Sequence, residues 1–147
     1  MSEAHEAIRN LLGRYCERMD AGDWNGLAEL FADAVLMDFD GHEAARGREG
    51  ALRLYRDGTL TYDGSPRTRH LTTNSVIEVN EEAGTAEARS SFVVFQATDA
   101  LALQPIAAGR YRDRFVRRNG TWQFSERAFA LDQVGDVSQH LRGAAPG

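Results

Sequence analysis

His70 sits in the run Arg67-Thr68-Arg69-His70-Leu71-Thr72-Thr73-Asn74, a polar approach to a strand pattern. An imidazole gains or loses its proton near neutrality, so one placed on a strand beside a pocket is a candidate acid or base. It works as a base only when something fixes its tautomer, and Asp20, at the end of the first helical pattern, is the candidate for that task. The two are expected to form a dyad. At roughly 100° per residue, Asp20 falls at the edge of the apolar stripe of its helix, from where a carboxylate can point sideways into a cavity. Structural readings stand beside these: His70 as a core or edge histidine satisfied by hydrogen bonds, and Asp20 before Ala21-Gly22 as an ordinary helix-end residue.

On the His70 strand, Thr68, Thr72, Asn74 and Val76 share its parity, while Leu71, Thr73, Ser75, Ile77 and Val79 take the other face. Near its start the strand is therefore polar on both faces. A strand covered by helices is polar only where it borders a cavity or water, so the sequence places a pocket at this end. Tyr15 is a further candidate, its hydroxyl being either a catalytic donor or a core hydroxyl satisfied locally. Arg127 is another. Trp122 and Phe124 hold one parity and Phe129 and Leu131 the other, so a bulge between Phe124 and Phe129 would reconcile them and re-aim the side chains in that window. The plain alternative is an exposed strand arginine.

The elements that must position these residues follow from period and punctuation. Ile8, Leu11, Leu12, Tyr15 and Met19 recur at offsets of three and four, which predicts a helix over 4–19. Ala21-Gly22 ends it, and Asp23 caps a short second helix carrying Trp24, Leu27, Leu30 and Phe31. Val35, Met37 and Phe39 alternate in a strand ending at Gly41; Gly47 and Gly50 frame a third helix that gives out at Asp57-Gly58. From Arg67 onward the apolar period becomes that of strands. Segments 67–79, 85–97, 106–118 and 121–132 predict an antiparallel meander, and Asn119-Gly120 suits a type I′ hairpin. Helices gathered before strands define an α+β domain with the helices on one sheet face. Residues after Gln133 read as a loose tail, with His140 as a tail residue in preference to a lid.

The 147 residues, 42% hydrophobic and 27% charged, suit one domain with its own core. The net charge of -5 and scattered basic residues argue against nucleic acid; Asp113 interrupts the densest group, Arg112, Arg114, Arg117 and Arg118. No apolar run approaches membrane-span length and no signal peptide is evident, so a soluble cytoplasmic protein is expected, with no membrane partner. Cys16 is the only cysteine, which rules out an internal disulfide, and it lies among apolar helix residues. His5, His42, His70 and His140 lack paired ligand spacing, and no phosphate loop follows a strand. Neither metal nor cofactor is expected.

Asp20-Ala21-Gly22-Asp23-Trp24, then Arg67 through Asn74, then Gly109-Arg110-Tyr111 with Asp113, and finally Asn119-Gly120-Thr121-Trp122-Gln123-Phe124 resemble the SnoaL-like branch of the nuclear transport factor 2-like superfamily. The resemblance spans helix 1 to about Leu141. It implies a cystatin-like cone, a curved antiparallel sheet wrapped around N-terminal helices with one internal apolar pocket. Scytalone dehydratase, bile-acid dehydratase and hexachlorocyclohexane dehydrochlorinase look most similar at the site: their Asp–His dyad falls on Asp20 and His70, a tyrosine of the bile-acid enzyme on Tyr15, and the dehydrochlorinase arginine on Arg127. Phe95 and Phe39 stand where scytalone dehydratase has a second histidine and a strand tyrosine. Phe39, Asn74, Phe95, Tyr111 and Phe129 are then expected to line a site for a small apolar or aromatic substrate. The activity implied is a cofactor-independent dehydratase acting on a hydroxylated cyclic or polyketide-like compound. The alternatives are an isomerase or cyclase using the same base, and a non-catalytic assembly subunit like the small subunits of ring-hydroxylating dioxygenases. A homo-oligomer, dimer or trimer, is expected by the same resemblance.

Overall fold

The computed structural model describes residues 3–143. Helix α1 (Glu3–Ala21) buries Ile8, Leu11, Leu12, Tyr15 and Met19, the stripe legible in the sequence. Gly22 follows with φ +70°, and Asp23 caps α2 (Trp24–Glu29) by accepting the Gly26 N–H at 3.0 Å. The helix ends where the expected breaker lies. Strands β1 (Val35–Met37) and β2 (Glu43–Arg46) come next, then α3 (Gly47–Gly58). No local signal marks β2, whose Glu-Ala-Ala-Arg composition is not strand-forming; pairing with β1 places it.

Four long strands complete the chain: β3 (Thr68–Asn80), β4 (Thr85–Thr98), β5 (Leu101–Arg118) and β6 (Thr121–Val134). They form an antiparallel meander, and Asn119 and Gly120 at its last turn have φ +51° and +78°, as a type I′ turn needs. The sheet runs β2-β1-β6-β5-β4-β3. It differs from the all-antiparallel sheet expected, because β1 lies parallel to β6, with Leu36 opposite Arg127. Two strands far apart in the chain can pair in either sense, and the helical connections bring β1 in alongside β6.

The helices cover the concave face, where Phe31, Leu27, Leu36, Phe115 and Phe124 are buried together. Two irregularities steer side chains on this face. Phe115 pairs with Phe124 but Arg114 pairs with Glu126, so Ser125 is an extra residue, and the bulge lies inside the window expected. In β3 the register shifts between Thr72 and Ser75. That second bulge was not read in the sequence, because polar residues flank it on both sides and no hydrophobic alternation breaks. It turns Asn74 and Val76 outward and Ile77 and Val79 toward the core. Of the stretch expected to be a loose tail, β6 runs on through Val134 and Leu141 bridges Thr59, while residues 144–147 lie outside the described residues.

Candidate active site

The end of α1 meets the start of β3. Asp20 Oδ1 lies 2.6 Å from His70 Nδ1 and accepts the Thr68 hydroxyl at 2.8 Å, while Oδ2 accepts the His70 backbone N–H at 2.8 Å. Ser65 Oγ donates to the Asp20 backbone carbonyl, tying the loop before β3 to the same helix end. A carboxylate accepts only, so Nδ1 carries the ring proton and Nε2 is left as the basic nitrogen. Nε2 has no hydrogen-bond partner among the described residues, and it is not one of the fully buried orphan atoms, which are Gln96 Oε1, Arg127 Nη1 and His140 Nδ1. The side chains of His70 and Asp20 are 6% and 15% exposed, so the dyad is shielded without being sealed. An open depression of about 710 Å³ runs over the β3 edge beside it, lined by Cys16, Asp20, Thr68, His70, Phe95 and Leu103 among others.

Inward of His70 lies a cluster of rings. Tyr15 stands edge-on to His70, with centroids 6.2 Å apart, and also to Tyr55 and Tyr111 at 6.0 and 5.9 Å. The three tyrosines are within side-chain hydrogen-bonding reach of one another through Tyr15. Burial pushes the Tyr15 hydroxyl up from its ordinary value, although Arg127 opposes the shift, and it pushes Tyr55 and Tyr111 well up. All three are protonated donors at neutral pH.

Arg127 is fully buried beside this cluster. Its guanidinium lies 3.7 Å from the Tyr111 ring centroid and 4.4 Å from that of Tyr15. Nε and Nη2 donate to the two Asp113 oxygens at 2.7 and 3.0 Å. Burial works against both charges and drives the Asp113 carboxyl up against the pull of Arg127. The fork geometry keeps the pair ionic, and Asp113 holds the guanidinium above its ordinary range despite the burial. The remaining Nη1 has no partner.

The structure divides the residues named from the sequence. Asp20, His70, Tyr15, Tyr111 and Arg127 come together on the concave side. Phe129 is half-buried and packs against the same core. Phe39 and Asn74 are placed elsewhere, and Phe95 lies on the other face of its strand pair. Phe39 lies beneath the outward Arg112 and Arg110 guanidiniums, at 4.0 and 4.9 Å, because its chain has left β1 for a turn. Asn74 is exposed and accepts from the Thr73 hydroxyl, a consequence of the β3 bulge. Phe95 pairs with Arg69 on the face opposite His70 and lines the same depression as the dyad. In the same turn as Phe39, Asp38, Asp40 and His42 gather ligand atoms within 4.8 Å of one another, but hydrogen bonds from Asp40 and His42 to Asp38 account for the arrangement.

Two residues were missed. Tyr55 lies in α3, where no spacing signal in the sequence marks its side chain as facing Tyr15. His140 was assigned to the tail, yet it is 6% exposed and its ring lies 5.8 Å from that of His70. Burial and the neighbouring His70, opposed by Asp20, push its pKa down to about 4.

A curved sheet packed on its concave face by N-terminal helices is the architecture of the cystatin-like, NTF2-like proteins. The chain belongs to the SnoaL-like domain family, whose model matches residues 1–128. The beta subunit of the methanesulfonate monooxygenase hydroxylase from Methylosulfonomonas methylovora is 29% identical, over 88% of this chain and 81% of that one. An NTF2-like protein with a cystatin-like fold from Novosphingobium aromaticivorans is 27% identical with a TM-score of 0.71, covering 96% of this chain and 84% of that one. A protein named after scytalone dehydratase, from the same organism, shares the fold at 24% identity and a TM-score of 0.70, covering 97% and 92%. Among the described residues no helix is long and apolar enough to cross a membrane.

Proposed function

We propose that the protein is a cofactor-independent acid–base enzyme that removes water from a small hydroxylated cyclic or aromatic carbonyl compound. The observation that carries this reading is the double hold of Asp20 on His70, through ring Nδ1 and backbone N–H, with Nε2 left unpartnered. His70 Nε2 takes a proton from the carbon next to the carbonyl, the electron pair forms the C=C bond, and the C–O bond breaks. The proton held by His70 then goes to the departing oxygen, which leaves as water. Tyr15 and the spare Arg127 Nη1 are the donors for the oxygen on which enolate charge develops. Asp113 neutralises Arg127, so this corner favours a carbonyl that becomes an enolate over a permanent anion.

The experiment is a screen of cyclic and aromatic β-hydroxy ketones in deuterated buffer, following exchange of the acidic C–H by NMR and enone formation by absorbance. Both signals are expected from the parent and should fall by about 10²- to 10⁴-fold in His70→Ala. Equal signals from parent and variant would exclude His70 as the base. Exchange without enone would point to an isomerase or cyclase.

A second reading has its own support in the near-enclosure of His70 and in the likeness to an oxygenase hydroxylase subunit. On that reading the chain is an assembly subunit and His70 a structural histidine. A homo-oligomer, dimer or trimer, is expected on the enzymatic reading, and light scattering of the purified chain separates it from a monomer awaiting a larger partner.

A further inference from the structure

His140 takes no part in the elimination described above, yet the fold buries it against the residue that does. Its ring stands T-shaped to that of His70, and its Nδ1 is buried without a hydrogen-bond partner. The backbone holds it there firmly. The His140 carbonyl accepts the Leu60 N–H at 2.8 Å, and its own N–H donates to Val137. On one side the Gln139 carbonyl accepts from Tyr62 Oη at 2.6 Å and Gln96 Nε2 at 3.0 Å; on the other, Arg142 donates from its backbone to Gly58 and from its side chain to Asp57. A ring carried by a segment tied at so many points is nearly as fixed as one on a strand.

Leaving a buried donor or acceptor unpaired costs about 1–3 kcal/mol, so a fold that does this beside a second imidazole has a polar group in readiness for something the protein does not itself provide. Resting on the reading of His70 as the base, we propose that His140 is a further catalytic residue, whose ring N–H holds the departing hydroxyl of the substrate between the two imidazoles. His140 transfers no proton in this step. It donates one hydrogen bond to the oxygen while the C–O bond breaks, and His70 supplies the proton that completes water. A neutral ring serves here, and burial with His70 alongside keeps it uncharged at neutral pH.

The test uses the aldol of benzaldehyde and acetone, a benzylic β-hydroxy ketone, titrated into the full chain while the ring C–H resonances of the histidines are followed by NMR. Both His70 and His140 resonances are expected to move with one saturation curve. His140→Leu should weaken that binding by about tenfold or more, the equivalent of one lost hydrogen bond, and His140→Gln, which keeps an N–H donor, should stay within about threefold of the parent. Recovery in the Gln variant distinguishes a donor from a packing residue. If His70 responds and His140 does not, or if Gln binds as poorly as Leu, the role assigned to His140 is wrong while the His70 site stands. If neither ring responds, the pocket reading fails and this inference fails with it.

Discussion

Asp20 grips His70 at two points, the ring through Oδ1 at 2.6 Å and the backbone through Oδ2 at 2.8 Å. One carboxylate thus sets the register of the β3 edge against α1 and the tautomer of the imidazole at once. Asp20→Asn keeps the size but turns an amide N–H₂ toward at least one of three donors, the His70 ring, the His70 backbone N–H and the Thr68 hydroxyl. We expect a loss of about 1–3 kcal/mol in urea unfolding, together with a fall of about 10²-fold or more in whatever turnover the screen finds. A variant with the parent's stability would show that the carboxylate contributes nothing to the helix–strand junction.

Arg127→Met strands the Asp113 carboxylate in the core, and should destabilise by about 3–5 kcal/mol. The double variant with Asp113→Leu removes both charges and should recover most of that loss. Denaturant midpoints of the two variants decide the matter; additive losses would mean the pair does not act as a unit.

Acid should destabilise the fold through His140. Its native pKa of about 4 lies below the ordinary histidine value of 6.5, so between those values the unfolded chain binds a proton that the native chain refuses. Stability is therefore complete above about pH 6.5 and drains away as the pH falls toward 4, by about 3 kcal/mol in all. Unfolding of His140→Gln across this range should show a shallower acid loss than the parent. An identical slope would place the acid sensitivity elsewhere.

Gly22→Ala should be costly at a position that carries no chemistry. The residue has φ +70°, and a Cβ there would run into the Gly64 backbone carbonyl. The displaced loop is the one whose Ser65 hydroxyl holds the Asp20 carbonyl. We expect about 1–3 kcal/mol of lost stability, read from thermal unfolding, together with an altered His70 ring environment by NMR. A destabilised variant with an unchanged His70 signal would separate the loop from the site.

Sequence alone was enough for α1, α2, α3 and the four long strands, because each rests on local signals: an apolar stripe, a capping Asp23, Asn-Gly at the hairpin, and alternation over a dozen residues. It also pointed to the bulge after Phe124, since two aromatic pairs of opposite parity leave a mark. The β3 bulge left none, and so Asn74 was turned the wrong way. Phe39 was misplaced for a related reason: composition names an aromatic residue but not the sheet face it takes. The partnering of Asp20 with His70 was an inference across 50 positions, and only the approach of α1 to an edge strand brings those atoms into contact. The same holds for Arg127 with Asp113, for Tyr55, and above all for His140, whose surroundings in the sequence are those of a tail. Local pattern settles which elements form, whereas the meeting of side chains from distant elements depends on how the sheet curves and the last segment returns, and neither is encoded in any short stretch of chain.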